Sequence, residues 1–450
     1  MADQRAPTIR DIIKRDGQAV PYDRDRITTA IFKAASSVGG SDRDTAAQLA
    51  AIVEQVLVAT YGAEAPTVED VQDVVEATLI EEGHATTARA YIIYRHERAQ
   101  EREARREHEV EATDNVPYKK IYEVLNWNIE HGCDTVNGLN KIIAEGRFAE
   151  LVQAANKRYE QEVFAGAEKM VERLPDVRMM IVAGPSSSGK TTTTLKLSEK
   201  LHEAGRKLKA IHIDHYFFDL EMHPKDEFGD YDYETPQALD LELINDHLSQ
   251  LVEGKTIKTP HYDFKTGKRQ LDVHDLHLAE DEVLLIDCLH GLYGDMTSSI
   301  PSEAKFRLYI ETLGQIRNAD GVFMRWADNR LMRRMIRDSW NRNLKPLQTL
   351  THWHYVRKSE LSHIIPFIDT VDYVVNSALP YELPILKDRL FDNFPEAMKL
   401  YRDDPKRQDA YIRARRVYDL LNPLAAVADD SCVPDNALLR EFIGGSSYTY

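Results

Sequence analysis

At 450 residues the chain is longer than one hydrophobic core usually supports, so two or more domains are expected. With 43% hydrophobic and 29% charged residues it has apolar material for those cores, and 57 basic against 74 acidic side chains give a net charge of −17, which disfavours non-specific binding to nucleic acid or to an anionic membrane. The cysteines Cys133, Cys288 and Cys432 show no metal-ligand spacing, and neither an apolar signal core nor a membrane-length apolar run occurs, so free thiols in a reducing, cytoplasmic setting are expected.

The chain opens on two short apolar segments, Ile12-Ile13 and Ala19-Val20, around Asp16-Gly17, a dipeptide that takes φ > 0 readily and so signals a β-hairpin. Helical spacing follows at Ile27, Ile31 and Ala34, at Leu49, Ile52, Val53 and Val56, and at Val68, Val71, Val75 and Leu79. Asp25 and Thr67 stand where N-caps are expected, and Thr67 with Asp70 fits a capping box. Lys-Arg-Asp-Gly, Val-Pro-Tyr-Asp-Arg, the Ile-x-x-Ala-Ile helix and Ala88-Arg89-Ala90-Tyr91-Ile92-Ile93-Tyr94-Arg95 together resemble the ATP-cone, a regulatory nucleotide-binding module, over residues 8–98. The resemblance implies that Lys14, Arg15 and Arg26 contact the phosphates of a regulatory ATP or dATP and that Thr67 lines the same site.

Residues 96–111 are almost all charged and read as a solvated spacer. Apolar periodicity resumes at Ile121, Val124, Leu125 and Ile129, and an amphipathic helix is expected over 151–174; residues 99–173 are therefore taken as a helical linker region.

Gly184-Pro185-Ser186-Ser187-Ser188-Gly189-Lys190-Thr191 follows the apolar run Met179–Ala183 and leads into Thr192 and a helical stretch. Strand, glycine-rich loop and helix in that order form a phosphate cradle: backbone N–H groups of Gly184, Ser186, Ser187, Ser188, Gly189 and Thr192 are candidates to face phosphate oxygens, Lys190 to reach the β- and γ-phosphates, and the Thr191 hydroxyl to hold Mg²⁺. Strands are expected at 208–214, 282–287 and 306–311, alternating with helices, which implies a parallel sheet with ligands at its carboxyl ends. Asp214 and Asp287 end two of those strands and would face the phosphates.

That loop, Ile-Asp-His-Tyr-Phe at 213–217, Tyr-Asp-Tyr-Glu-Thr-Pro at 231–236, Pro-His-Tyr-Asp-Phe-Lys-Thr-Gly-Lys-Arg at 260–269, Ile-Asp-Cys-Leu-His-Gly-Leu at 286–292 and Arg-Leu-Met-Arg-Arg-Met-Ile-Arg-Asp at 330–338 resemble, in order, the phosphoribulokinase/uridine kinase family, nearest to a bacterial nucleoside-kinase branch. The implied architecture is α/β: a P-loop NTPase core at 174–385 with a parallel sheet flanked by helices, preceded by the small, mostly helical ATP-cone with its hairpin and followed by a C-terminal helical extension at 386–450. The implied chemistry is ATP- and Mg²⁺-dependent transfer of the γ-phosphoryl group to a primary hydroxyl of a nucleoside. By the resemblance Asp214 is general base and metal partner, Asp287 a second metal-shell carboxylate, Tyr216, Glu234, Tyr262 and Arg269 line the acceptor site, and Arg333, Arg337 and Arg342 belong to a closing lid.

The chain departs from uridine kinases at Glu234 and Asp287, where Asp and Glu are usual, and at Gly267, where a base-reading His is usual. A sugar phosphate or other small alcohol is accordingly an alternative acceptor, and a non-catalytic nucleotide sensor an alternative function. A homo-oligomer without nucleic-acid or membrane partners is expected.

Overall fold

Two hydrophobic periodicities divide the chain: helical spacing throughout its first hundred residues, then short continuous apolar runs of the kind that fill a sheet buried on both faces. The computed structural model describes residues 9–14, 19–62, 64–95, 116–174, 176–225, 231, 235–342 and 344–449. They form two compact units, one of residues up to 113 with 399–411, the other of 114–398 with 412–450.

In the first unit β1 (Asp11–Ile13) pairs antiparallel with β2 (Ala19–Pro21); the Asp16-Gly17 turn, Arg15 and the charged stretch 96–111 lie outside the described residues. Helices α1 (Arg24–Ser37), α2 (Arg43–Tyr61), α3 (Val68–Glu81) and α4 (85–95) enclose a core of Ile31, Phe32, Leu49, Val53, Leu57, Val75 and Leu79. Asp23, not Asp25, caps α1, accepting from the Asp25 N–H; Thr67 caps α3 in a complete capping box with Asp70. Residues 399–411 are part of this unit: the buried Arg43 guanidinium donates to the Arg402 carbonyl and the Gln408 side chain.

The second unit begins with α5 (Tyr118–Glu130), α6 (Val136–Ala144) and α7 (Phe148–Val171), so the expected linker of 99–173 is divided, its described helices folding with the sheet that follows. That sheet has five parallel strands in the order β4 (Lys207–Ile211), β7 (Glu282–Asp287), β3 (Met179–Ala183), β8 (Lys305–Glu311), β9 (Tyr373–Asn376). Helices α8 (Lys190–Glu203), α9 (Leu241–Val252), α10 (Trp326–Asn341) and α11 (Pro346–His363) serve as crossovers and flanks. Every residue of β3 is buried, as a central parallel strand requires. A two-stranded antiparallel ribbon, β5 (Ile257–Asp263) with β6 (Lys268–Leu276), stands apart from the sheet. The chain closes with α12 (Glu382–Leu390), α13 (Asn393–Tyr401), α14 (Gln408–Leu421) and the single turn α15 (Arg440–Ile443).

One strand expectation needs correcting, and three strands were not expected. β4 stops at Ile211, and Asp214 sits in the 3₁₀ turn Ile213–Tyr216 beyond it, because the chain turns there to bury Ile213 and Tyr216. β9 and the β5–β6 ribbon carried no strand expectation; β9 is only four residues long. No helix among the described residues is long and apolar enough to cross a membrane.

Candidate nucleotide and acceptor site

The phosphate loop leaves the carboxyl end of β3, between β7 and β8. Register places Asp287 level with Val182, so the β7 carboxylate arrives beside the start of the loop. Gly184 is required by close approach: a Cβ there would lie 2.4 Å from the Ile310 carbonyl oxygen. The Ser187 and Ser188 hydroxyls are buried and have no hydrogen-bond partner among the described residues, an unsatisfied polar lining of the kind an anion would complete. The Lys190 ammonium folds back onto the loop, donating to the carbonyls of Gly184 at 2.9 Å and Pro185 at 3.4 Å. Burial lowers its pKa, while Asp287 and then Glu441 act in the opposite sense.

Asp214 and Asp287 both have carboxyl pKa values raised by burial. Lys190 pulls each back down and Asp214 pushes Asp287 further up, which places the three side chains within electrostatic reach of one another. The two carboxylates, with the exposed Thr191 hydroxyl that opens α8, are oxygen donors only. That is the chemistry of Mg²⁺, which keeps most of its waters and takes one or two carboxylates with substrate phosphates. Among the described residues no three His, Cys, Asp or Glu side chains form a metal cage.

The arginine helix α10 differs from expectation. Arg333 is fully buried: its guanidinium donates to Glu382 at 2.6 and 3.0 Å and to the Ser377 carbonyl at 2.6 Å, so it is a core ion pair with no face free for a lid. Arg337 is half-buried, with its pKa lowered by burial and raised back first by Glu441. Arg342 caps the helix, half exposed, 3.6 Å from Asp338. The arginines that do reach the phosphate loop are Arg330, which donates to the Ser186 carbonyl at 3.1 Å, and Arg334, which donates to the Ser186 hydroxyl at 3.0 Å. Arg330 is held beneath the loop by Glu311 at 2.8 Å and by both oxygens of Glu360. Positions 330, 334 and 337 follow i, i+4, i+7, but 330, 333 and 337 at i, i+3, i+7 lie equally close on a helix, so spacing alone carried no signal for which arginines reach the loop.

Thr192 likewise departs from expectation. Its N–H and hydroxyl donate to Glu441 at 3.1 and 2.7 Å, so both groups are engaged by a side chain from α15.

Of the acceptor residues, Tyr216 is wholly buried in the core, its hydroxyl 2.8 Å from His247 Nδ1, and presents no surface to a pocket; the turn that exposes Asp214 rotates it inward. Tyr262 is almost fully buried, in ring contact with Phe217, His223 and Phe264. Its backbone N–H donates to His215 Nδ1 at 3.2 Å, which ties it to the residue after Asp214. Arg269 is paired with Asp240 at 2.9 Å. Glu234 lies outside the described residues. Gly267 has φ +66°, and a Cβ there would meet Leu220 Cβ at 2.8 Å, so Leu220 occupies the space a side chain would need. Unanticipated was a row of imidazoles alongside Asp214: His212, His215, His261 and His274, with successive ring centroids 6.0, 4.7 and 5.8 Å apart. Because His215 Nδ1 accepts a hydrogen bond, its neutral ring carries the proton on Nε2.

In the first unit Ile13 donates to the Pro66 carbonyl at 2.9 Å and bridges to Thr67, so the backbones of Lys14 and Thr67 run side by side. Arg26 is largely exposed, 3.7 Å from Asp23. Thr67 has its hydroxyl engaged in the α3 cap, accepting from Asp70 N–H and donating to the Asp70 carboxylate.

Residues 10–100 match the ATP cone domain and residues 179–380 the Phosphoribulokinase / Uridine kinase family. A uridine kinase of Oceanobacillus iheyensis is 28% identical over 196 residues, 43% of this chain and 83% of that protein. A uridine kinase of Deinococcus deserti is 28% identical over 195 residues, 43% of this chain and 84% of its own length. A solved structure described as a possible uridine kinase from Bacillus stearothermophilus covers 47% of this chain and 98% of its own at 16% identity, with a TM-score of 0.31.

Proposed function

We infer, from the match of residues 179–380 to the phosphoribulokinase/uridine kinase family and of residues 10–100 to the ATP cone domain, that the protein is a kinase that moves the γ-phosphoryl group of ATP to a hydroxyl of a nucleoside-like acceptor under the control of a second nucleotide at the cone. The observation that carries the reading is Asp214 in the turn after β4, its carboxylate free of hydrogen bonds among the described residues and within electrostatic reach of Lys190, the cation that would hold the transferred group. Asp214 would take the proton of the attacking hydroxyl, with Lys190, Arg334 and Arg337 balancing the charge that spreads over the phosphoryl oxygens. Thr191, Asp214 and Asp287 would hold Mg²⁺, which when bound neutralises phosphate charge. Arg330 and Glu311 keep the Ser186 carbonyl in place beneath the loop.

Labelled ATP offered with a panel of nucleosides and sugar phosphates tests this. Transfer to one acceptor class is expected, and tight ATP binding with transfer to none would leave a sensor rather than a kinase. A sugar phosphate or another small polyhydroxy alcohol is the second reading, favoured by Leu220 filling the space at Gly267 and by the imidazole row, whose N–H groups suit oxygen-rich acceptors.

The cone makes a separate prediction. A second nucleotide site acts only through differential affinity for two states. dATP is therefore expected to change the rate measured at saturating ATP, and Arg26→Ala to blunt the response. A rate indifferent to dATP would remove the regulatory role.

A further inference from the structure

The first turn of a helix that follows a phosphate loop is where amide N–H groups await an anion. In this protein one of them is already taken by an anion of the chain's own. The Glu441 carboxylate, 5% exposed, accepts from the Thr192 N–H at 3.1 Å and from the Thr192 hydroxyl at 2.7 Å. It is also the second-largest opposing charge felt by Lys190 and the largest felt by Arg337, the two cations that would neutralise triphosphate. Close by, the Ser187 and Ser188 hydroxyls stay buried without partners among the described residues. The cradle therefore holds one carboxylate while part of its polar lining remains unsatisfied.

The segment bearing Glu441 is fastened at several points. Leu438 lies over Gly189 so closely that a Cβ on that glycine would come within 2.5 Å of Leu438 Cδ1. Trp340 Nε1, at the end of the helix carrying Arg334 and Arg337, donates to the Phe442 carbonyl at 2.7 Å. Arg389 donates to the Ile443 carbonyl at 3.0 Å, and Arg333 lies with its guanidinium carbon 5.0 Å from the Phe442 ring centroid. The same short segment is thus bound both to the phosphate-loop helix and to the arginine helix, and it brings a negative charge to the place where both would meet a nucleotide.

We propose that residues 438–443 form an intramolecular competitor for the phosphate loop, in which Glu441 occupies an anion position on α8 and nucleotide phosphate must displace it. Two anions cannot share that turn cheaply: at about 4 Å, like charges at a protein surface repel by several times thermal energy. Displacement of Glu441 would free the Thr192 N–H and hydroxyl for phosphate and loosen the Phe442 carbonyl from Trp340, so that occupancy of the loop and freedom of the arginine helix change together.

Equilibrium binding to the full-length chain tests the competition without requiring phosphoryl transfer; a chain that binds ATP and phosphorylates nothing would refute the kinase reading and leave this one standing. Glu441→Gln keeps the shape and removes the charge. It is expected to bind ATP and inorganic tripolyphosphate at least about tenfold more tightly than the unaltered protein, with adenosine affinity unchanged. Equal or weaker phosphate binding by this variant would show a structural cap and overturn the proposal. Amide hydrogen exchange on the unaltered protein gives a second readout that needs no variant to fold. Saturating ATP is expected to speed exchange in residues 438–443, and protection there that stays equal or rises would overturn the proposal as well.

Discussion

Asp214→Asn is expected to lower kcat by about 10²–10⁴-fold while leaving ATP affinity nearly unchanged, the range that loss of one general base produces. Asparagine fills the same volume and keeps a hydrogen-bonding oxygen, so the 3₁₀ turn that carries it should persist, but an amide cannot take the acceptor's proton. The Asp214 side chain keeps exposed surface although the atoms around it desolvate its carboxyl, and among the described residues its carboxylate is committed to no hydrogen bond, which leaves it available to a substrate hydroxyl. Steady-state rates with the best acceptor from the panel, set beside ATP binding by calorimetry, check the prediction. Undiminished transfer would remove Asp214 as the base, whereas joint loss of binding and rate would mark a role in holding nucleotide.

Arg333→Ala and Glu382→Ala are each expected to destabilise the protein by about 3–5 kcal/mol, because removing one partner leaves the other a buried, uncompensated charge. Glu382 also accepts from the Asn329 side chain at 2.8 Å and from the Leu379 N–H at 2.9 Å, so the pair ties α10, the end of β9 and α12 together. Denaturant unfolding of the two single variants and the double variant measures the coupling. Loss in either single variant should exceed that of an apolar double replacement, which removes both charges at once. The result to set against this is a stable Arg333→Ala protein with a depressed kcat, which would return Arg333 to the lid role its place in the motif suggests.

Arg333 shows why a motif read along a line, even with helical spacing applied, misassigns residues that tertiary packing sorts. Arg330, Arg333, Arg334 and Arg337 all fall on one broad face of α10 at spacings of three, four and seven, but Glu382 and Ser377 take Arg333 into the core while Arg330 and Arg334 meet Ser186. Tyr216 and Asp214 make the same point over a shorter distance. Two residues apart in a 3₁₀ turn, one is fully buried against His247 while the other reaches solvent.

By itself the sequence determined the local features whose physics is complete within a few residues. The glycine-rich loop between an apolar strand and a helix, the Thr67–Asp70 capping box and the hairpin strands at its start all appear where their residue types require. It also determined the parallel sheet, since short apolar runs alternating with helices leave little else for buried strands to do. Only the tertiary structure decided which charges are buried together and which face the loop. The ion pairs Arg330–Glu311, Arg330–Glu360 and Arg333–Glu382 join residues 19 to 49 positions apart, and Thr192 meets Glu441 across 249. Such pairings follow from how strands and helices stack, and a carboxylate near the C-terminus carries no local mark that it will cap the helix of a phosphate loop.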